Sequence, residues 1–171
     1  RGGGTPLDSG DIRVLNAVYS GGSVWCAFTT GHSWSGTNRA SAFWLQCKPS
    51  TGTVLQQGIF GARSGSYFYP GVMADVHGNM VMNFSRCGST EFASVFFTGR
   101  QTTDPAGTLR PSTLLKAGIA NYTNIDRNGR NRWGDYSGAA LDPADSRTIW
   151  FYNGWASAAT RWSTQVGAAR F

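Results

Sequence analysis

The sequence predicts an all-β chain built from repeated four-stranded sheets. Three observations carry this. Glycine (23 of 171 residues) and aromatics (7 Trp, 6 Tyr, 10 Phe) are abundant, while charged residues make up only 14%. Strong helix formers are scarce: Glu91 is the single glutamate, and Lys48 and Lys116 are the only lysines. An apolar segment ending in an aromatic or a hydroxyl recurs along the chain, each time behind a turn rich in Gly or Asp.

The repeat is read strand by strand. Gly22-Ser23-Val24-Trp25-Cys26-Ala27-Phe28-Thr29 aligns with Gly78-Asn79-Met80-Val81-Met82-Asn83-Phe84-Ser85. Ser146-Arg147-Thr148-Ile149-Trp150-Phe151-Tyr152-Asn153 is set beneath them, with Tyr152 under Phe84. Upstream lie apolar segments at Val14–Tyr19, Gly71–Val76 and Gly138–Leu141. The turns between are Ser20-Gly21-Gly22, His77-Gly78 and Asp142–Asp145, where Gly supplies positive φ and Asp bonds nearby amides. A third strand repeats as Ala40–Leu45, Ala93–Thr98 and Ser163–Ala168. A fourth follows at Thr53–Phe60 and Thr108–Ala117, and the chain stops at Phe171 before a third copy.

Four strands per unit at this period predict a β-propeller segment of about three four-stranded blades, the last blade lacking its outer strand. Residues 12–60, 61–118 and 119–171 are the expected blades, and 1–11 a tail or closing strand. Three blades do not complete a ring, so flat apolar faces must meet a partner. The candidates are N-terminal blades of a longer polypeptide, a second copy of the chain, or closure by the N-terminal residues. The start at Arg1 fits a processed or truncated product.

Composition narrows the function. The formal net charge is +6, almost all from scattered arginines, so runs typical of nucleic-acid binders are absent. No apolar run is long enough for a transmembrane helix, and membrane insertion is not expected. A Gly-x-Ser-x-Gly elbow is missing, and His32 and His77 fall in a loop and a turn, which argues against a nucleophilic triad. Cys26 and Cys47, on adjacent strands, are candidates for a cross-strand disulfide; Cys87 is left over. The low-Lys surface rich in Asn, Ser, Thr and Gly points to an extracellular or secreted protein.

Other candidates are local. Asp135 precedes an inner strand and Glu91 lies in a strand–strand loop, so with Tyr136 they are candidate catalytic residues for a glycoside hydrolase needing two carboxylates. For Asp135 the stronger reading is a turn anchor, its carboxylate bonding neighbouring amides at the strand entry. Asp126 and Asn128 offer alternate oxygen ligands for calcium near Gly129, against an ordinary Asx-turn; no other metal or cofactor is implied. Tyr69, Arg86, Arg132, Trp133, Asp135 and Tyr136 are expected to line one end of the central channel. There, aromatics would stack on sugar rings and arginines bind carboxylates or sulfates.

The segment Arg132-Trp133-Gly134-Asp135-Tyr136-Ser137-Gly138-Ala139-Ala140-Leu141-Asp142-Pro143 resembles the last-blade signature of secreted bacterial β-propellers, grouped with sialidase-like or BNR-repeat proteins. Val166–Phe171, Tyr69–Asp75 and Phe84-Ser85-Arg86 are similar to the same pattern, so the resemblance spans the chain from Asp11 onward. It implies the C-terminal blades of such a propeller. Asp145, Thr148 and Trp150 sit loosely where an Asp-box has its Asp, Thr and Trp, but the box glycine is replaced. A sialidase resemblance implies an arginine cluster, an acid and a Tyr–Glu pair, for which the chain offers Arg86, Arg132, Tyr69, Tyr136 and Glu91. The expected function is a binding module for an acidic glycan or protein partner, or an assembly unit. The alternatives are a sialidase-like hydrolase completed by missing blades and a purely structural unit of an oligomer or filament.

Overall fold

A computed structural model describes residues 4–171. Among these the chain is all β, with no helix. Sheet 1 is the antiparallel meander β2 (Asn16–Ser20), β3 (Ser23–Trp34), β4 (Thr37–Lys48) and β5 (Thr53–Phe60). Sheet 2 repeats it with β6 (Gly65–Ala74), β7 (Met80–Gly88), β8 (Glu91–Arg100) and β9 (Thr113–Lys116). Sheet 3 has three strands, β11 (Gly138–Leu141), β12 (Thr148–Ala158) and β13 (Arg161–Arg170). The N-terminal strand β1 (Leu7–Asp8) pairs in parallel with β10 (Asn131–Arg132), between sheets 2 and 3. It therefore adds nothing to the free edge of β13, where a closing strand would go. No ring closes among the described residues.

Local chemistry sets the turns. Gly21 (φ 55°) and Gly22 (φ 75°) make the two-residue turn between Ser20 and Ser23, and both positions need positive φ. Between β6 and β7 the fully buried Asp75 does this work. Its Oδ1 accepts the amides of His77 (2.8 Å) and Asn79 (2.9 Å), and its Oδ2 accepts Asn79 Nδ2 (2.8 Å).

Sheet 2 is covered on both faces, which is why β7 is buried on both sides from Met80 to Ser85, apolar but for Asn83 and Ser85. Met80, Met82 and Phe84 point to sheet 1 and pack on Trp25, Ala27 and Trp44. The Trp25 and Trp44 rings stack at 6.5 Å. Each such side chain contributes about 1.5–3 kcal/mol relative to exposure. Val81 points the other way, onto Ile149 and Phe151 of sheet 3.

Polar groups complete the second contact. Asn153 donates to Tyr69 O (3.0 Å) and Asn83 Oδ1 (3.0 Å). Its Oδ1 accepts Ser85 Oγ and Gly154 N, each at 2.8 Å. Asn83 Nδ2 donates to Gly71 O (3.3 Å) and Gly138 O (3.1 Å), and Trp133 Nε1 to Ser85 Oγ (3.2 Å). Asn83, Ser85 and Asn153 are buried, and every polar atom of both asparagine amides has a partner.

The expected third copy of the repeat is displaced by one residue. Gly71 pairs with Asn83 and Gly138 with Tyr152, so Tyr152 corresponds to Asn83, and Asn153 takes the place of Phe84. A slip of one residue exchanges the two faces of a strand. Ile149, Phe151 and Asn153 are buried against sheet 2, while Trp150 and Tyr152 face out.

The expected disulfide is also corrected. Cys26 lies opposite Leu45 and Cys47 opposite Val24, so the two thiols are diagonal neighbours on one face. Diagonal positions are about 7–8 Å apart, beyond the usual disulfide span. All three cysteines are free.

Candidate functional site

The lead-in segments ahead of the inner strands gather at one end of the stack. Trp133-Gly134-Asp135-Tyr136 precedes β11, and Tyr69 sits in the bulge of β6. With Tyr152, Asn153 and Gly154 of β12 and Trp162 and Thr164 of β13 they line a cleft of about 340 Å³. Four of the six expected binding residues, Tyr69, Trp133, Asp135 and Tyr136, are thus brought together. Their exposure differs: Tyr69 and Trp133 are buried at the base, while Tyr136 (71%), Trp162 (50%) and Tyr152 (42%) present their rings to solvent.

Trp133 is held edge-on by Tyr122 (5.0 Å) and Phe68 (6.4 Å) and by its bond to Ser85. Tyr69 adopts a left-handed φ of 49°, which fixes its amide on Thr29 Oγ1 (3.0 Å). Burial pushes the Tyr69 hydroxyl up to about 12; Asp135 and Asp8 push the same way, and Arg132 opposes them. It is a neutral hydroxyl over the ordinary pH range.

The arginines are not free anion receptors. Arg132 donates through Nη2 to both carboxylate oxygens of Asp135, at 2.9 and 3.0 Å. Arg86 is not at the cleft at all. It lies over the Phe96 ring (3.5 Å), near Tyr67, and its guanidinium holds Glu91 through Nε (2.7 Å) and Nη2 (2.9 Å). Arg86 and Glu91 face each other across the β7–β8 turn. Asp135 and Glu91 therefore belong to separate clusters, each neutralised by its own arginine.

Asp126 is a turn anchor. Its Oδ1 accepts the amides of Asn128 (2.8 Å) and Arg130 (3.0 Å), and its Oδ2 takes the Arg130 guanidinium. Both carboxylate oxygens are occupied by donors, which is the Asx-type alternative and not a cation cage. Among the described residues no cluster of three His, Cys, Asp or Glu side chains is arranged to hold a metal. Asp142 and Asp145 act likewise: Asp142 Oδ2 accepts Trp150 Nε1 (2.8 Å), and Asp145 binds the amides of Arg147 and Thr148.

A second, more open cavity of about 560 Å³ lies between the N-terminal segment, strands β3 and β4 at Gly31 and Asn38–Ala40, and the β7–β8 turn, with Phe68, Cys87 and Tyr122 among its walls. Burial pushes the Cys87 thiol up to about 11.

Tyr152, Trp162 and Thr164 were not among the expected site residues. The signal for Trp162 and Thr164 is the alternation of β13, whose even-numbered positions face outward; Tyr152, on β12, carries no such signal. No protein-family model, curated protein or solved structure matches the chain.

Proposed function

We propose that the chain is a section of a β-propeller whose work is association, its two end faces receiving further four-stranded sheets. One observation carries this. Phe84 and Phe96 stack opposite each other on sheet 2 and are buried against sheet 1. Phe28 and Phe43 hold the same strand positions one repeat earlier, and their rings stack at 4.8 Å. They lie half-buried on the outer face of sheet 1, beside the exposed Tyr19, Val54 and Ile59. At the far end Trp150, Tyr152, Trp162 and Val166 form the outer face of sheet 3. Contiguous apolar faces rimmed by polar residues mark interaction surfaces.

A second reading is favoured by the cleft alone. Tyr136, Tyr152 and Trp162 with Asp135 and Thr164 suit stacking and hydrogen bonding to a neutral sugar. An acidic glycan is less well served, because Arg86 is elsewhere and Arg132 is paired. A sialidase-like hydrolase has thinner support, since Asp135 is the one carboxylate among the cleft-lining residues.

The test compares equivalent positions. Phe84→Lys should cost more than about 3 kcal/mol in urea unfolding, because it buries an ammonium between sheets. Phe28→Lys should cost less than about 1 kcal/mol and should reduce binding of a hydrophobic dye to the folded chain. Equal costs, or no dye binding by the unmodified chain when it is monomeric, would overturn the proposal.

A further inference from the structure

We infer that the partner for these faces is a second copy of this chain, docked head to tail. The exposed lead-in Ile12-Arg13-Val14-Leu15 of one copy would then seat in the Tyr136–Tyr152–Trp162 cleft of the next. The inference rests on the association reading above and adds the identity of the partner.

The argument is the continuity of an interface the molecule already makes twice. At the sheet 1–sheet 2 contact, the lead-in of sheet 2 presents the Tyr69 amide to Thr29 Oγ1. At the sheet 2–sheet 3 contact, the lead-in of sheet 3 presents Trp133 Nε1 to Ser85 Oγ. Thr29 and Ser85 occupy the same position of the second strand, and by the strand register Gly154 is its counterpart in sheet 3. Gly154 lines the cleft. The cleft is therefore the place where a following lead-in belongs.

The first lead-in is the unmatched half. Asn16 of β2 pairs with Ala27 as Gly71 pairs with Asn83 and Gly138 with Tyr152. Val14 and Leu15 consequently correspond to Tyr69 and Pro70, which are buried, yet Val14 is 50% and Leu15 41% exposed. Ile12 is 70% exposed. An uncovered lead-in with an uncovered back face at one end meets an empty cleft with an uncovered front face at the other. The two ends differ, so the contact is heterologous, and repetition either closes a ring or extends a fibre.

Sedimentation tests this with two one-faced variants of the full chain. Phe28→Lys with Val14→Lys blocks the back face, and Trp150→Lys with Val166→Lys blocks the front face. The unmodified chain should show concentration-dependent mass of at least twice 18.4 kDa. Each variant alone should associate at least tenfold more weakly. An equimolar mixture should recover a dimer and nothing larger, which also shows that both variants fold.

A variant that still dimerises alone, or a mixture that stays monomeric, overturns the inference. An unmodified chain that is monomeric yet binds hydrophobic dye overturns the second copy as partner and leaves the association reading standing. One that is monomeric and binds no dye overturns both.

Discussion

Asn153→Ala is expected to loosen sheet 3 from sheet 2. The amide is 2% exposed and makes four hydrogen bonds, to Tyr69 O, Asn83 Oδ1, Ser85 Oγ and Gly154 N. Ser85 Oγ has a second acceptor in Gly154 O at 3.2 Å and can turn to it. The Tyr69 carbonyl, the Asn83 carbonyl oxygen and the Gly154 amide each lose a partner. At about 1–3 kcal/mol for each of the three buried groups left unsatisfied, the loss is about 3–9 kcal/mol. Water entering the small space left by the side chain would pull the value toward the lower end. For a chain of this length that is a fall in Tm of roughly 6–36 °C, at about 2–4 °C per kcal/mol. Urea unfolding of Asn153→Ala, Asn83→Ala and the double variant supplies the assay. The two should be strongly non-additive, because they share a bond at 3.0 Å. A loss under about 1 kcal/mol, or additive losses, would refute the network as a fastening between sheets.

Two further outcomes follow from single sites. The Asp145 carboxyl is lowered from 3.8 to about 2, first by the Thr148 amide, then by the Arg147 amide and the Thr148 hydroxyl. A lowered folded value means its contribution is present above the ordinary value and fades as pH falls from about 4 toward 2. Asp145→Asn should flatten that part of the stability profile, read by thermal melts at stepped pH; an unchanged acid limb would contradict this. Gly118→Ala would drive a Cβ into the Ala93 carbonyl oxygen, a backbone atom that cannot swing away. It should cost more than about 1 kcal/mol in urea unfolding, and a neutral result would show that the β8 edge yields.

The strands and turns are legible in the sequence because their causes are local. Gly21-Gly22 reads as a tight turn, and β7 reads as a strand from its apolar Met80, Val81, Met82 and Phe84. The face of each β12 residue is not legible. Trp150, Phe151 and Tyr152 are three aromatics in a row, so residue type carries no parity, and the buried Asn153 looks like a surface residue until its four partners are seen. The cysteines fail for a related reason: strand membership is readable, but the register that makes Cys26 and Cys47 diagonal depends on the β3–β4 turn at Ser35-Gly36. In the cleft, Trp133, Asp135 and Tyr136 are readable from their places ahead of β11, and Tyr69 from its place ahead of the repeated segment that starts at Gly71. Arg86 is not placed by the same logic. Its pairing with Glu91 follows from the short β7–β8 turn, which folds residues five apart into contact.

The central claim is that equivalent positions are covered inside the stack and open at its ends. Hydroxyl-radical footprinting of phenylalanine reads this directly in one sample. In dilute solution Phe28 and Phe43 should be modified several-fold faster than Phe84 and Phe96, and the difference should shrink as the chain is concentrated. Equal modification of the two pairs at every concentration would contradict the account.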